Sequence, residues 1–559
     1  MKVKKWVTTA VALTLVGSVA IGCTKEEKAS VPTAAGTSEA KVTAASSKPQ
    51  EVTLNIVAEP PVLDGSIADS EASFTIMNAV NEGLFRIDKD GKAEPGLAKD
   101  FPKISPDGLT YTIDIRDANW SDGVPVKAQD FVYSYKRTLD PAAKAPYGFM
   151  VGWLKGGETA LAADSPEKLK VALDAVGVKA VTDKQLEITL SRPVTFFTEL
   201  LAFPIFFPQR EDFVKAQGDK NGADADKVIG AGPFKLTKWD HEQTIVLEKN
   251  DKYWDAANVK LTKATLNIVK DTNTGLNLYE TNASDLALIR GDQIPPYKGK
   301  PDLLIKKELT NGYLQFQEKK VPALANKKIR QALGMAIDRD GYADTVSTGT
   351  FVSPAGLVPN GTSDGAGGDF RKTAGEVQSK FDAIKAKQLF AEGLKEMNLT
   401  ALPKLKLLGD DAEIDKKGLE FIAAQWKQNL GFEVEVNPVP HKLRLALSNS
   451  HDFDIVQSRW GADYNDPMTF LDMFITGGSF DEGDYSNPDY DKDVKAAQTE
   501  ADPAKRVKLM VDAEKIIIDD AGVYPLYFRS RPYVKRPSVE GFFFPVGGPE
   551  FELKWVSVK

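Results

Sequence analysis

The chain has 559 residues, 42% of them hydrophobic, with 71 lysines and arginines against 79 aspartates and glutamates and a formal net charge of −8. That length exceeds one ordinary hydrophobic core, so two or three lobes are expected. The acidic balance disfavours nucleic acid and anionic lipid as partners, and a single cysteine excludes a disulfide framework and a thiolate zinc site.

The N-terminus reads as a signal peptide over residues 1–22. Lys2, Lys4 and Lys5 form a basic start, and the apolar run from Val7 to Gly22 is too short and too rich in small residues to span a membrane. Losing this segment removes three lysines and no acid, which moves the net charge from −8 to −11. The run stops at "AIGC", where Cys23 stands at the expected cleavage point. This segment resembles a bacterial lipobox, with Ala20 where the commonest motif has leucine. Acylation of Cys23 is expected, and more than one acyl chain would tether a soluble body firmly. Residues 23–50 then form a leash rich in Ala, Ser, Thr and Lys without an aromatic residue, which cannot bury enough apolar surface to order itself.

From Glu51 the pattern is globular. "LTYTIDIR" alternates, with Leu109, Tyr111, Ile113 and Ile115 on one face, and predicts a half-buried strand. "SDG" turns the chain, and Phe131, Val132, Tyr135 and Leu139 follow at helical spacing. Leu186–Leu190 and Thr244–Asn250 read as strands. "PKLKLLG", the helical "KKGLEFIAAQWKQNLG" and Phe432–Val436 predict a β-α-β unit with parallel strands. Asp502 caps and Pro503 opens a helix with Val507, Met510, Val511, Ile517 and Ile518 on its apolar face, and "VYPLYF" is strand-like. Strands and helices alternate without an internal repeat, which predicts an α/β protein.

Catalytic signatures are missing. His241, His441 and His451 show no metal-ligand spacing, and there is no G-x-S-x-G turn. "GAGGDF" lacks the P-loop lysine, has no convincing helix after it and reads as a surface loop. No cofactor and no enzymatic activity are expected. Aromatic residues are plentiful instead: Trp120, Tyr133, Tyr135, Tyr147, Trp254, Tyr313, Trp460 and Tyr464 lie in or beside turns and strand ends. Singly each suits a core; together they suit a cleft that grips a ligand by contact area. "SRWGADYNDPMTF" sets one acid, Asp463, between Trp460 and Tyr464. On its residues alone this acid suits a turn, a catalytic group or a fixed negative charge for a cation.

Four ordered segments carry a resemblance. "EPPVLDGSIADSEASFTIMNAVNEGLFRIDKDGKAEPGLAKDF", "IRDANWSDGVPVKAQDFVYSYKRTLDP", "KKIRQALGMAIDRD" and "WGADYNDPMTFLDMFITGG" resemble the family 5 extracellular solute-binding proteins, the peptide-binding receptors of ABC importers. The likeness runs from about Glu51 to Lys559. It implies a two-lobed periplasmic-binding-protein-like fold with a hinge. Lobe I would comprise 51–82, 206–311 and 525–559, with 83–205 as an inserted subdomain, and lobe II would comprise 312–524. The partners implied are an oligopeptide, membrane-embedded ABC permease subunits and, through the lipid, the membrane; the receptor would be a monomer on the outer face, at a Gram-positive cell surface.

The same resemblance assigns site residues. Asp463 would meet the ligand's α-amino group, with Trp460 and Gly461 supplying aromatic contact and backbone pairing to an extended peptide. Asp69 and Tyr147 would lie at cleft positions, and His441 on a pocket wall. This chain departs from enterobacterial relatives where basic residues meet the ligand's C-terminus, showing Gln457, Asp415 and Ser448, with Arg459 nearby as a substitute. Thr310 and Gly461 stand at the sites of a paired-cysteine crosslink. Longer peptides, or basic ligand side chains near Asp410, Asp411 and Asp415, are therefore admitted. The same fold also serves oligosaccharides, other solutes and signalling peptides, and a secreted lipoprotein hydrolase is the rival from another class.

Overall fold

The computed structural model describes residues 49–559 apart from 195, 366, 479 and 546. The signal peptide, Cys23 and the leash as far as residue 48 lie outside the described residues. Ten strands form the main sheet: β1 (Glu51–Ile56), β2 (Phe234–Asp240), β3 (Thr244–Lys249), β4 (Lys263–Ile268), β5 (Leu286–Leu288), β6 (Leu303–Phe316), β7 (Lys406–Asp410), β8 (Glu435–Val439), β9 (Ile455–Gly461) and β10 (Val523–Lys535). Their order across the sheet is β8-β7-β9-β6-β10-β5-β1-β4-β3-β2. The mixture of parallel pairs (β1 with β4, β7 with β8) and antiparallel ones (β6 with β9 and β10) makes this an α/β fold with a mixed sheet. Among the described residues, no helix is long and apolar enough to cross a membrane.

Two long strands join the halves of this sheet. β6 and β10 pair from Leu303↔Val534 to Gln315↔Val523, with an irregularity between Lys307↔Ser530 and Asn311↔Phe528. Extra residues in one strand of a ladder bend it and deepen its twist. Glu308, inside this stretch, pairs with Arg529 and Arg531 of the facing strand. Just past the irregularity, Gly312 lies against the ring of Tyr527, and a Cβ there would be built into that ring. Tyr527 cannot step aside, because Phe351 stacks on it at 4.1 Å and Tyr342 at 5.7 Å. Gly312→Ala is therefore expected to cost about 1–3 kcal/mol of stability through overpacking, to be read as a lower denaturation midpoint in urea.

The periodic segments fold as their patterns require. Thr110–Asp114 is a strand with Tyr111 and Ile113 buried, in a separate four-stranded antiparallel sheet with Lys103–Ile104, Gln185–Thr189 and Val178–Thr182. The helix Ala128–Thr138 packs on this sheet with Phe131 and Tyr135 fully buried. Asp502 accepts hydrogen bonds from the Ala504 and Lys505 N–H groups and starts the helix Pro503–Asp519. β7, the helix Glu413–Leu430 and β8 make the expected parallel β-α-β unit.

Two details differ from the sequence expectation. The second strand of that unit starts at Glu435, three residues later than Phe432. Gly431 ends the helix at φ 69°, and Phe432 then turns back into the core against Trp426 and Phe390. The glycine-rich "GAGGDF" is followed by a short helix after all, Phe370–Ala374. Asp369 caps it by accepting from the Lys372 N–H, and Phe370 anchors it in the core.

Candidate functional site

The site grows from one half-free strand. β9 pairs along its length with β6, from Phe316↔Ile455 to Thr310↔Gly461. On its other edge β7 reaches only Ile455 and Val456. From Gln457 to Gly461 that edge has no strand beside it among the described residues. A free edge of this kind offers backbone N–H and C=O groups to an extended chain. Gly461 is exposed, and its register partner is Thr310.

Past Gly461 the chain turns, and side chains hold the turn. The Ala462 N–H donates to the Leu309 carbonyl at 2.8 Å. The Thr469 hydroxyl accepts from the Trp460 indole and from the Asp463 N–H, both at 3.3 Å. Asp466 accepts from the Met468 N–H at 2.9 Å, and both terminal nitrogens of Arg506 grip its carboxylate at 2.7 and 2.8 Å. Gly547 presses against the Ala462 carbonyl from outside, where a Cβ would collide with it.

Asp463 sits at the centre of this turn, 9% exposed. The Tyr147 hydroxyl, 316 positions away in sequence, donates to its Oδ1 at 3.1 Å, while Oδ2 has no hydrogen-bond partner among the described residues. Burial lifts the carboxyl to about 8; the Tyr147 hydrogen bond pulls the other way, and the Asp472 charge adds to the rise. A buried carboxylate with a free oxygen is costly unless a cation meets it. Tyr147 is held for its task by Phe74, Phe203 and Phe149, at ring distances of 5.9, 5.4 and 6.1 Å. Trp460 packs edge-on against Phe480 at 4.6 Å.

Arg459 and His441 belong to a second cluster. Arg459 reaches Asp415 at 3.0 Å and Asp410 at 3.3 Å; Arg444 and His441 contact Asp410 at 3.1 and 3.0 Å. Asp410 is held well below the usual carboxylate range: burial opposes this, but the His441 hydrogen bond and the Arg459 and Arg444 charges outweigh it. Of Asp410, Asp411 and Asp415, the first and the last are thus already matched by arginines of the protein itself. Asp69 stands just before Ser70, the cap of the helix Glu71–Val80, with part of its surface open to solvent and its carboxyl partly covered by the protein. Burial raises its carboxyl, while its own backbone N–H and the His441 charge lower it, which links it electrostatically to this second cluster.

The aromatic set does not converge. Trp120, Tyr135 and Tyr313 are core residues, so the collective cleft reading fails for them. Tyr464 is buried too, stacked on Phe196 at 4.3 Å. Trp254 lies under the Arg116 guanidinium and donates to Glu82. Sequence reading missed Thr469, Arg506 and Gly547. Thr469 belongs to the "SRWGADYNDPMTF" segment, but nothing local marks its hydroxyl as the brace of both Trp460 and Asp463.

Residues 92–482 match the family model described as bacterial extracellular solute-binding proteins, family 5 Middle. The oligopeptide-binding protein OppA of Bacillus subtilis is 34% identical over 508 residues, covering 89% of this chain and 90% of that protein. The dipeptide-binding protein DppE of the same organism is 33% identical over 543 residues, 96% of each chain. Among solved structures, OppA of Listeria monocytogenes bound to peptide superposes with a TM-score of 0.81 at 36% identity, covering 92% of this chain and all of that one.

Proposed function

The chain belongs to the bacterial extracellular solute-binding proteins of family 5, and from that premise we propose that it is a lipid-anchored receptor that captures oligopeptides outside the membrane and delivers them to an ABC permease. The observation that carries the peptide reading is Oδ2 of buried Asp463, which has no partner among the described residues. An α-ammonium is the one cation every unblocked peptide offers, and a charge-assisted hydrogen bond to Oδ2 completes the carboxylate's shell. The free edge of β9 beyond Val456 then offers main-chain pairing that ignores side-chain identity. Trp460 and Gly461 lie on that edge, and the Arg459 cluster lies further along the same strand.

Closure follows from where the anchor's parts come from. Tyr147 belongs to the inserted segment 83–205 and Asp463 to 312–524, so their hydrogen bond forms only when the two lobes meet. We assign the hinge to β6 and β10, which run through the boundaries at 311/312 and 524/525 with their irregular stretch beside them. The ligand draws closure energy from contacts made only in the shut state. The acylated Cys23 and the 23–50 leash would keep the receptor, a monomer, near its permease.

Blocking the ligand's amine tests the reading. Native mass spectrometry of the purified full chain, incubated with a mixture of free and N-acetylated peptides of the same sequences, should recover the free forms bound. Equal recovery of both forms, or of a non-peptide solute alone, would remove Asp463 as an ammonium anchor.

A further inference from the structure

Beside Asp463 lies a cavity that opens to solvent. Three acids line it, Asp463, Glu199 and Glu552, and among the described residues no lysine, arginine or histidine does. Glu552 is fully engaged. Its Oε2 accepts from Arg86 at 2.6 Å and Asn78 at 2.8 Å, and its Oε1 from the Leu553 and Lys554 N–H groups at 2.8 Å each. The other two are not. Asp463, nine-tenths buried, leaves Oδ2 without a partner among the described residues. Glu199, half-buried on the short helix Phe197–Leu200, forms no ion pair and no side-chain hydrogen bond with another described residue.

Asp463 and Glu199 both line this cavity, and neither has a counter-charge among the described residues. Under the reading above, the α-ammonium answers only Asp463. A metal ion does not fit the pair, since among the described residues no group of three or more His, Cys, Asp or Glu side chains is placed to hold one. The wall supplied by Phe203, Tyr464, Pro545 and Pro549 is apolar and partly aromatic. Such a wall suits an aliphatic stem that carries its charge at the far end, as lysine and arginine side chains do.

We propose that this cavity selects peptides whose first residue has a basic side chain, with the α-ammonium on Asp463 and the side-chain ammonium or guanidinium on Glu199. The proposal rests on Asp463 being the ammonium anchor. It moves the receptor's basic selectivity away from Asp410 and Asp415, which arginines already occupy, to an acid that no described residue neutralises.

Isothermal titration of the purified full chain with three peptides tests it. They begin with lysine, arginine or norleucine and share one alanine tail, so norleucine keeps the stem and removes the charge. Lysine-first and arginine-first peptides should bind on the order of 10-fold tighter than the norleucine peptide at low ionic strength, as close charge pairs at an interface do. In Glu199→Gln that ratio should fall to about 1, with a ratio as the readout so that preparations of different activity remain comparable. Equal affinities in the unmodified protein, or a ratio kept in Glu199→Gln, overturn the proposal and leave the ammonium anchor standing. Failure of all three to bind, or binding untouched by N-acetylation, overturns the anchor and this proposal together.

Discussion

Asp463→Asn is expected to weaken peptide binding by on the order of 100-fold or more, since truncating one partner of a buried, hydrogen-bonded charge pair costs about 3 kcal/mol or more. The same change should stabilise the unliganded protein at neutral pH. The folded value of about 8 lies well above the value near ~3.9 of an exposed aspartate. The folded state therefore holds the proton more tightly than the unfolded one. The contribution of Asp463 to stability is fully present below the unfolded value and is lost as pH rises towards the folded one. Asparagine cannot ionise, so its advantage over aspartate should grow between pH 5 and 8 in urea titrations.

Binding carries the opposite proton balance. An ammonium against Oδ2 favours the carboxylate and drives the proton off. At pH 6, where a peptide's own amine is already charged, capture should release most of one proton per peptide. Affinity should consequently rise with pH towards 8. Calorimetry in two buffers of different ionisation enthalpy reads the released proton, and the difference between buffers should vanish in Asp463→Asn. An Asn variant that binds as tightly as the parent would end the assignment.

Arg506→Met is expected to cost about 3–5 kcal/mol of stability, the range for stranding one member of a buried ion pair. Arg506 and Asp466 are both buried, and the guanidinium fork is the carboxylate's charged partner. The loss should also reach the site, because Asp466 lies three residues beyond Asp463 and caps the next turn through the Met468 N–H. A double variant, Arg506→Met with Asp466→Leu, removes both charges and should recover much of the stability. It should not recover peptide affinity, since the Met468 N–H loses its acceptor and the turn carrying Asp463 loses its brace. A single variant within about 1 kcal/mol of the parent in urea unfolding would contradict the weight placed on this pair.

The elements written in local periodicity are legible in the sequence alone. Thr110–Asp114 announces itself by alternation, Pro503–Asp519 by its cap and apolar stripe, and β7, β8 and the helix between them by their order. Boundaries blur where a side chain has a tertiary destination, as with Phe432, or where a cap rescues an unpromising segment, as with Asp369. Asp463 is legible only through a family likeness, because an acid before Tyr464 is as well suited to a turn as to a ligand.

An α/β chain, the order of its elements and the family to which its four motifs point can all be read from the amino-acid order. Which charges are answered emerges only once the chain is folded. Asp410 and Asp415 look as available as Asp463 in the sequence, yet Arg459 and Arg444, tens of residues away, neutralise the first two. Asp463 receives only a tyrosine hydroxyl from 316 positions away, and Glu199 receives no counter-charge from any described residue. Strand and helix periods act over a few residues and can be read locally. Compensation of a buried charge depends on whichever groups the folded chain brings within a few ångströms, and no local pattern carries that information.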